Sequence, residues 1–398
     1  MATSTAVPRY DAQVARLPIT SLLALALAGF VTILTEALPA GLLRQLSTDL
    51  AVSEALAGQL VTVYAIGSLV AAIPLTVMTQ GMRRRPLLMT AIAGFVLANT
   101  VTTFSSSYGL TMAARFLAGM SAGLLWALLA GYAARMVPPA QKGRAIAIAM
   151  VGAPLALALG VPAGTFIGDL LGWRAGFAIM SLLALLLMVW IRLRVPDFPG
   201  QAAGVRLPLN RVLVIAGVRP VLFVVMAFVL AHNILYTYIA PFLAAAGMAE
   251  RLDLLLLLFG LTSLLGIWVV GALIDRHLRL LTLVSTALFA LAALALGLAA
   301  NVPSVVFLAM AIWGLAFGGA GTLFQTAIAE TAGDAADLAQ SMLVTAWNLA
   351  IAGGGIVGGL LLHRFGVTAF APALLLLLVA TLLVVWASKK HGFPASNR

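Results

Sequence analysis

Two ionisable residues of this sequence stand where charge is expensive. Glu36 lies well inside an apolar run, eight residues before Arg44, whereas Asp11, Asp49, Glu54, Asp169, Asp197, Glu250, Asp253, Asp275, Glu330, Asp334 and Asp337 fall in polar stretches or at the ends of such runs. A carboxylate in hydrocarbon costs on the order of 3 kcal/mol, so Glu36 is expected to face a cavity or a partner. Thr32, one helical turn earlier, makes the same face polar. Desolvation disfavours the charged form of a carboxyl group, and a nearby cation or water restores it. A conformational change that alters either can therefore load and release a proton. The plainer reading is a neutral acid hydrogen-bonded to a neighbouring helix.

Arg115 is the one basic residue inside an apolar run. It lies roughly 9 Å along its helix, and Glu36 roughly 12 Å from the end of its own, so the two share a level. Arg115 is expected to pair with Glu36 or with a bound substrate. The alternative is a tether that joins helices through backbone carbonyls.

Fainter candidates surround this pair. His232, Asn233, Tyr236 and Thr237 make a polar stripe at helical spacing, and Gln325 and Asn348 are isolated polar residues among apolar ones. Each lines a cavity or is hydrogen-bonded scaffolding. Trp126, Trp268, Trp313 and Trp347 are interface anchors or cavity walls. No metal-binding spacing of His, Asp and Glu, no Gly-rich loop ending in Lys-Ser/Thr and no Ser-His-acid set is present, so the chain reads as neither an enzyme nor an ATP-driven pump, with no metal or cofactor.

The elements that must position these residues follow from composition. Of the 398 residues, 63% are hydrophobic and 9% charged, beyond what a water-soluble fold can cover. Apolar stretches long enough to cross roughly 30 Å of hydrocarbon recur near 18–42, 54–78, 86–105, 109–132, 145–168, 174–194, 219–245, 254–274, 280–300, 303–328, 338–362 and 366–387. The runs do not alternate in polarity, which excludes a membrane β-barrel. The expected fold is all-α and integral to the membrane, with twelve transmembrane helices. There is no cysteine, hence no disulfide framework, and no cleavage pattern of a removable signal peptide precedes Arg44.

The net charge of +11 is explained by its distribution. With the amino terminus inside, 18 of the 23 Lys and Arg fall on the cytoplasmic side, four outside, and Arg115 within a span. That is a positive-inside bias, not a nucleic-acid footprint. Both termini are expected in the cytoplasm, as tails over 1–17 and 389–398. The polar stretch 195–218, carrying Pro196, Pro199, Gly200, Gly204 and Pro208, reads as a cytoplasmic linker between six-helix bundles over 18–194 and 219–388. An internal echo supports two halves. Gly160, Gly164 and Gly172 recur at constant offset as Gly354, Gly358 and Gly366, and Gly119 and Gly123 as Gly314 and Gly318.

Several stretches together resemble the major facilitator superfamily, and within it twelve-span drug:proton antiporters close to bacterial sugar-efflux and chloramphenicol-exporter-like permeases. Thr35-Glu36-Ala37-Leu38-Pro39-Ala40-Gly41, with Gln59 to Tyr64, is similar to that branch's first two helices. Arg115-Phe116-Leu117-Ala118-Gly119 looks like the fourth-helix motif. On the fifth span Gly152-Ala153-Pro154 and Gly160-Val161-Pro162-Ala163-Gly164, followed by Gly168, form a small-residue ridge that lets helices pack closely and bend. Within it Gly160 to Gly164, with Gly172-Trp173-Arg174, looks like the antiporter motif of the fifth. The loop after the second span keeps the basic cluster Arg83, Arg84 and Arg85 but lacks the family's aspartate, whereas the second copy keeps Asp275 and Arg276. The resemblance therefore implies a closure that rests on Asp275.

It also implies a monomer in the bacterial inner membrane that moves a small organic solute, such as a drug or sugar, outward against protons by alternating access. Glu36 and Arg115 would be the coupling pair, and Thr32, Tyr64, Trp126, His232, Asn233, Tyr236, Gln325 and Asn348 the cavity candidates. Uptake of a sugar or nucleoside is the second transport reading, and a non-transporting scaffold or receptor the reading from another class.

Overall fold

The computed structural model describes residues 17–202 and 207–394; most of the expected amino-terminal tail, part of the linker and the last four residues lie outside the described residues. Among them every regular element is helical. Ten helical stretches are long and apolar enough to cross a membrane. Two of these are too long for one crossing of about 20 residues, the 51 residues of 249–299 and the 63 of 303–365. The first breaks at His277, whose φ of −132° and ψ of 29° leave the helical region. The second breaks at Gly333, where φ is +52°. Each therefore crosses twice, and the expected twelve spans result.

The spans are α1 (Ile19–Gly41), α2 (Glu54–Thr79), α3 (Arg84–Phe104), α4 (Tyr108–Arg135), α5 (142–171), α6 (Trp173–Arg194), α7 (Val218–Thr237), α8 (252–276), α9 (278–299), α10 (303–332), α11 (Ala336–Phe365) and α12 (Phe370–Ala387). Local chemistry sets their ends. Ser53 accepts from the Leu56 amide to start α2, and Ser107 from the Leu110 amide to start α4. The seventh span is shorter than expected because the helix breaks at Tyr238 and restarts as Ile239–Ala245. Large apolar side chains face outward along the spans, among them Phe104, Leu193, Trp268, Leu376 and Trp386. Exposure on that scale marks a lipid-facing surface. Trp268, 70% exposed, thus belongs to that surface and lines no cavity.

The buried side chains gather into cores that follow the chain. Two clusters draw on residues 22–195 and one on residues 212–393; Ile267 and Ala329 cross over and pack in the first half's core. Glycines set the closest approaches in a repeated pattern. A Cβ on Gly119 or Gly123 of α4 would strike the backbone of Tyr64 or Ser68 on α2, and one on Gly314 or Gly318 of α10 would strike Phe259 or Ser263 on α8. Gly160 and Gly164 of α5 receive Phe30 and Leu38 of α1, and Gly168 receives Leu42 just beyond it, as Gly354 and Gly358 of α11 receive Asn233 and Tyr238. Between Pro154 and Pro162, α5 passes through one π-type turn, Ala156–Gly160, as expected where proline removes a ladder hydrogen bond.

Candidate functional site

Arg115 sits two turns into α4. Because Gly119 one turn deeper lets α2 approach, the guanidinium meets α1 and α2 together. It is 1% exposed. Its Nε donates to the Leu60 carbonyl at 3.2 Å, its Nη2 donates to the Glu36 carbonyl at 3.3 Å, and its centre lies 4.8 Å above the Tyr64 ring. The Tyr64 hydroxyl in turn donates to the Thr32 carbonyl at 3.0 Å, and the Thr32 hydroxyl to Ala28. Arg115 Nη1, equally buried, has no partner.

The expected pairing of the two side chains is therefore corrected. The guanidinium reaches the Glu36 backbone, and the half-buried Glu36 carboxylate takes part in no ion pair among the described residues. Arg115 as a tether is what the geometry shows, with one nitrogen left without a hydrogen-bond partner. Pro39 has no amide to give the Thr35 carbonyl, which loosens the ladder of α1 one residue before Glu36.

At the corresponding level of the second half stands an aromatic cluster. The His232 ring of α7 stacks on Phe317 of α10 with centroids 3.5 Å apart, and on Tyr236 at 5.1 Å; Trp313 and Phe259 close the group. His232 and Trp313 are buried, and neither His232 Nδ1 nor Trp313 Nε1 has a partner. Trp347 borders the cluster 6.3 Å from Phe317. Asn233 and Asn348, both half-buried, donate to carbonyls one turn back, at Val229 and Val344. Trp126 stands apart, against Gly29 of α1, and Gln325 is deeper on α10, where its carbonyl accepts from Gln340. No group of three or more His, Asp or Glu among the described residues could hold a metal.

The contacts joining the halves lie at the linker-side ends of the helices. Asp337, 1% exposed in the first turn of α11, accepts from Arg135 of α4 at 2.9 Å on each oxygen and pairs with Arg84 of α3 at 2.8 Å. Gly131 makes room, since a Cβ there would lie 2.5 Å from the Asp337 carboxylate. The sequence pointed to Asp275 for this role; it too bridges the halves, from α8 to the start of α5, by accepting from backbone, including the Arg144 amide at 3.1 Å, and not from an arginine side chain. Arg83 and Arg85 turn away from the second half and hold Asp197 at the start of the linker, and Arg276 is exposed. Asp337 was passed over because it stands at a span end, where acids are ordinary. The signal that could have found it is its place in the first turn of an apolar span on the arginine-rich side.

A family model described as Major Facilitator Superfamily matches residues 25–339 and 249–397. The probable sugar efflux transporter of Mannheimia succiniciproducens is 28% identical, with 86% of this chain and 87% of that protein covered. The purine ribonucleoside efflux pump NepI of Escherichia coli K12 is 30% identical, with 90% and 91% covered. Among solved structures, the outward conformation of FucP superimposes with a TM-score of 0.75 at 15% identity, covering 94% of this chain and 99% of that one. The human organic anion transporter MFSD10 does so with 0.74 at 16%, covering 93% and 98%. With twelve spans, cores that follow two halves and a family model matching nearly the whole sequence, the chain belongs to the major facilitator superfamily.

Proposed function

We propose that this chain exports an uncharged, hydroxyl-bearing organic solute, a purine ribonucleoside before a simple sugar, in exchange for protons. The positive-inside bias supports an orientation with the linker side and both termini in the cytoplasm, as in a bacterial inner-membrane protein. On that orientation the Asp337 cluster seals the cytoplasmic side, and the form described is outward-facing. Export then requires the Arg84–Asp337–Arg135 contacts to part, so that the solute enters from the cytoplasm.

The observation that carries the coupling is the buried Arg115 with its partnerless Nη1 beside a carboxylate in no ion pair. A proton on Glu36 and a solute group on Arg115 would each bias which side is open, which is what exchange demands. The choice of solute rests on the relatives' names and on the second half's cluster. Tyr236, exposed, and Phe317, half-buried, offer flat faces suited to a heterocyclic base, with the buried rings of His232 and Trp313 packed behind them.

In inside-out vesicles, labelled inosine should accumulate when the lumen is acid, and a protonophore should abolish the accumulation. Entry that only equilibrates and ignores the gradient would make the chain a facilitator.

A further inference from the structure

Below the aromatic cluster, the cytoplasmic half of α10 carries a polar face that neither the coupling pair nor the closure uses. Thr322, Gln325 and Thr326 stand at helical spacings of three and four, so they share one face, and Gln340 of α11 donates to the Gln325 carbonyl at 2.8 Å. All four are more than nine-tenths buried. Thr322 Oγ1, Thr326 Oγ1, Gln325 Oε1 and Gln340 Oε1 have no hydrogen-bond partner. Ala329, one turn further on the same face, packs in the core of the first half. The polar face therefore points across the seam between the halves, on the side that is sealed here.

Buried polar atoms without partners weaken the state that buries them. Four on one seam make the outward-facing closure costly and repay the loss when the seam opens to the cytoplasm. Two amide oxygens that only accept, and two hydroxyls that accept or donate, match a neutral solute rich in O–H and N–H donors. They offer nothing to a cation that needs a carboxylate, or to an anion that needs a base.

We propose that Thr322, Gln325, Thr326 and Gln340 form the cytoplasmic loading site, where a hydroxyl-rich neutral solute is first held before it reaches the outer-half cavity. The inference rests on the export reading above and adds to it where the solute enters.

The chain has no cysteine, so a single Thr326→Cys reports this face cleanly. In inside-out vesicles, a membrane-impermeant thiol reagent should label it from the cytoplasmic side, and saturating inosine or glucose should slow labelling at least threefold. The double variant Thr322→Val/Thr326→Val should raise the cytoplasmic KM about tenfold and leave the KM from the outer face within twofold. Thr322→Ser/Thr326→Ser, which keeps both hydroxyls, should behave as wild type and separates lost hydrogen bonds from misfolding. Failure to label from the cytoplasm overturns the site, as does labelling that a transported solute does not slow, or an equal rise in KM on both faces. If wild-type vesicles move neither solute, the export reading falls and this inference falls with it.

Discussion

At the level of single residues, Arg115 is both a tether and a charge, and substitutions should separate the two. Two charge-assisted hydrogen bonds to carbonyls are worth roughly 1.5–3 kcal/mol each. Arg115→Ala should therefore lower the unfolding midpoint in detergent by several degrees and abolish transport. Arg115→Lys keeps the charge but lacks the planar fork, and should keep most of the stability while losing about tenfold in rate. Equal loss in both variants would show that geometry alone matters. Glu36 and Arg115 were legible in the sequence because an ion inside an apolar run is conspicuous whatever it touches. Their contacts were not legible, since the choice between carboxylate and carbonyl depends on how three helices cross.

Asp337 extends the same lesson. It is buried between two arginines from the other half, and Asp337→Asn would leave the Arg84 charge buried without its counter-ion, a loss of about 3–5 kcal/mol to the closed form. Spin labels at Met82→Cys and Lys390→Cys, exposed positions on the two halves, should show a longer distance in that variant. An unchanged distance distribution would mean that Asp337 does not hold the cytoplasmic side shut.

At the level of helices, the glycine register of the sequence reappears as geometry. A Cβ at Gly152 would run into the Ala26 backbone of α1, whereas one at Gly29 would lie 3.5 Å from Trp126 in ordinary contact. Gly152→Ala should cost about 1–3 kcal/mol, and Gly29→Ala no more than about 0.5 kcal/mol, read as melting shifts in detergent. Similar shifts in the two would return the α5 ridge to mere composition. Apolar runs and small-residue spacing were enough to place the spans and their closest crossings. The π-type turn in α5 and the break after Thr237 were not readable, because they depend on what packs against the loosened backbone.

At the level of the whole molecule, the halves are alike in packing and unlike in chemistry. The first carries an acid and a base, and the second, at the same level, carries rings. That division suits a transporter in which one half senses the proton and the other grips the solute's flat face, and rocking between them links the two. Topology is the first check. Tags on residues 2 and 398 should be cytoplasmic and one within 246–252 external; an external carboxyl terminus would contradict an even number of spans.

Coupling through Glu36 is the central claim, and one pair of assays on one variant tests it. Glu36→Gln keeps the shape and fixes the neutral state. In proteoliposomes loaded with inosine on both sides, exchange should persist near the wild-type rate, because it needs only solute-loaded transitions. Uphill efflux driven by a pH gradient should vanish in the same preparation. Gradient-driven efflux at the wild-type rate in Glu36→Gln would contradict the account and leave Glu36 a structural acid beside its arginine.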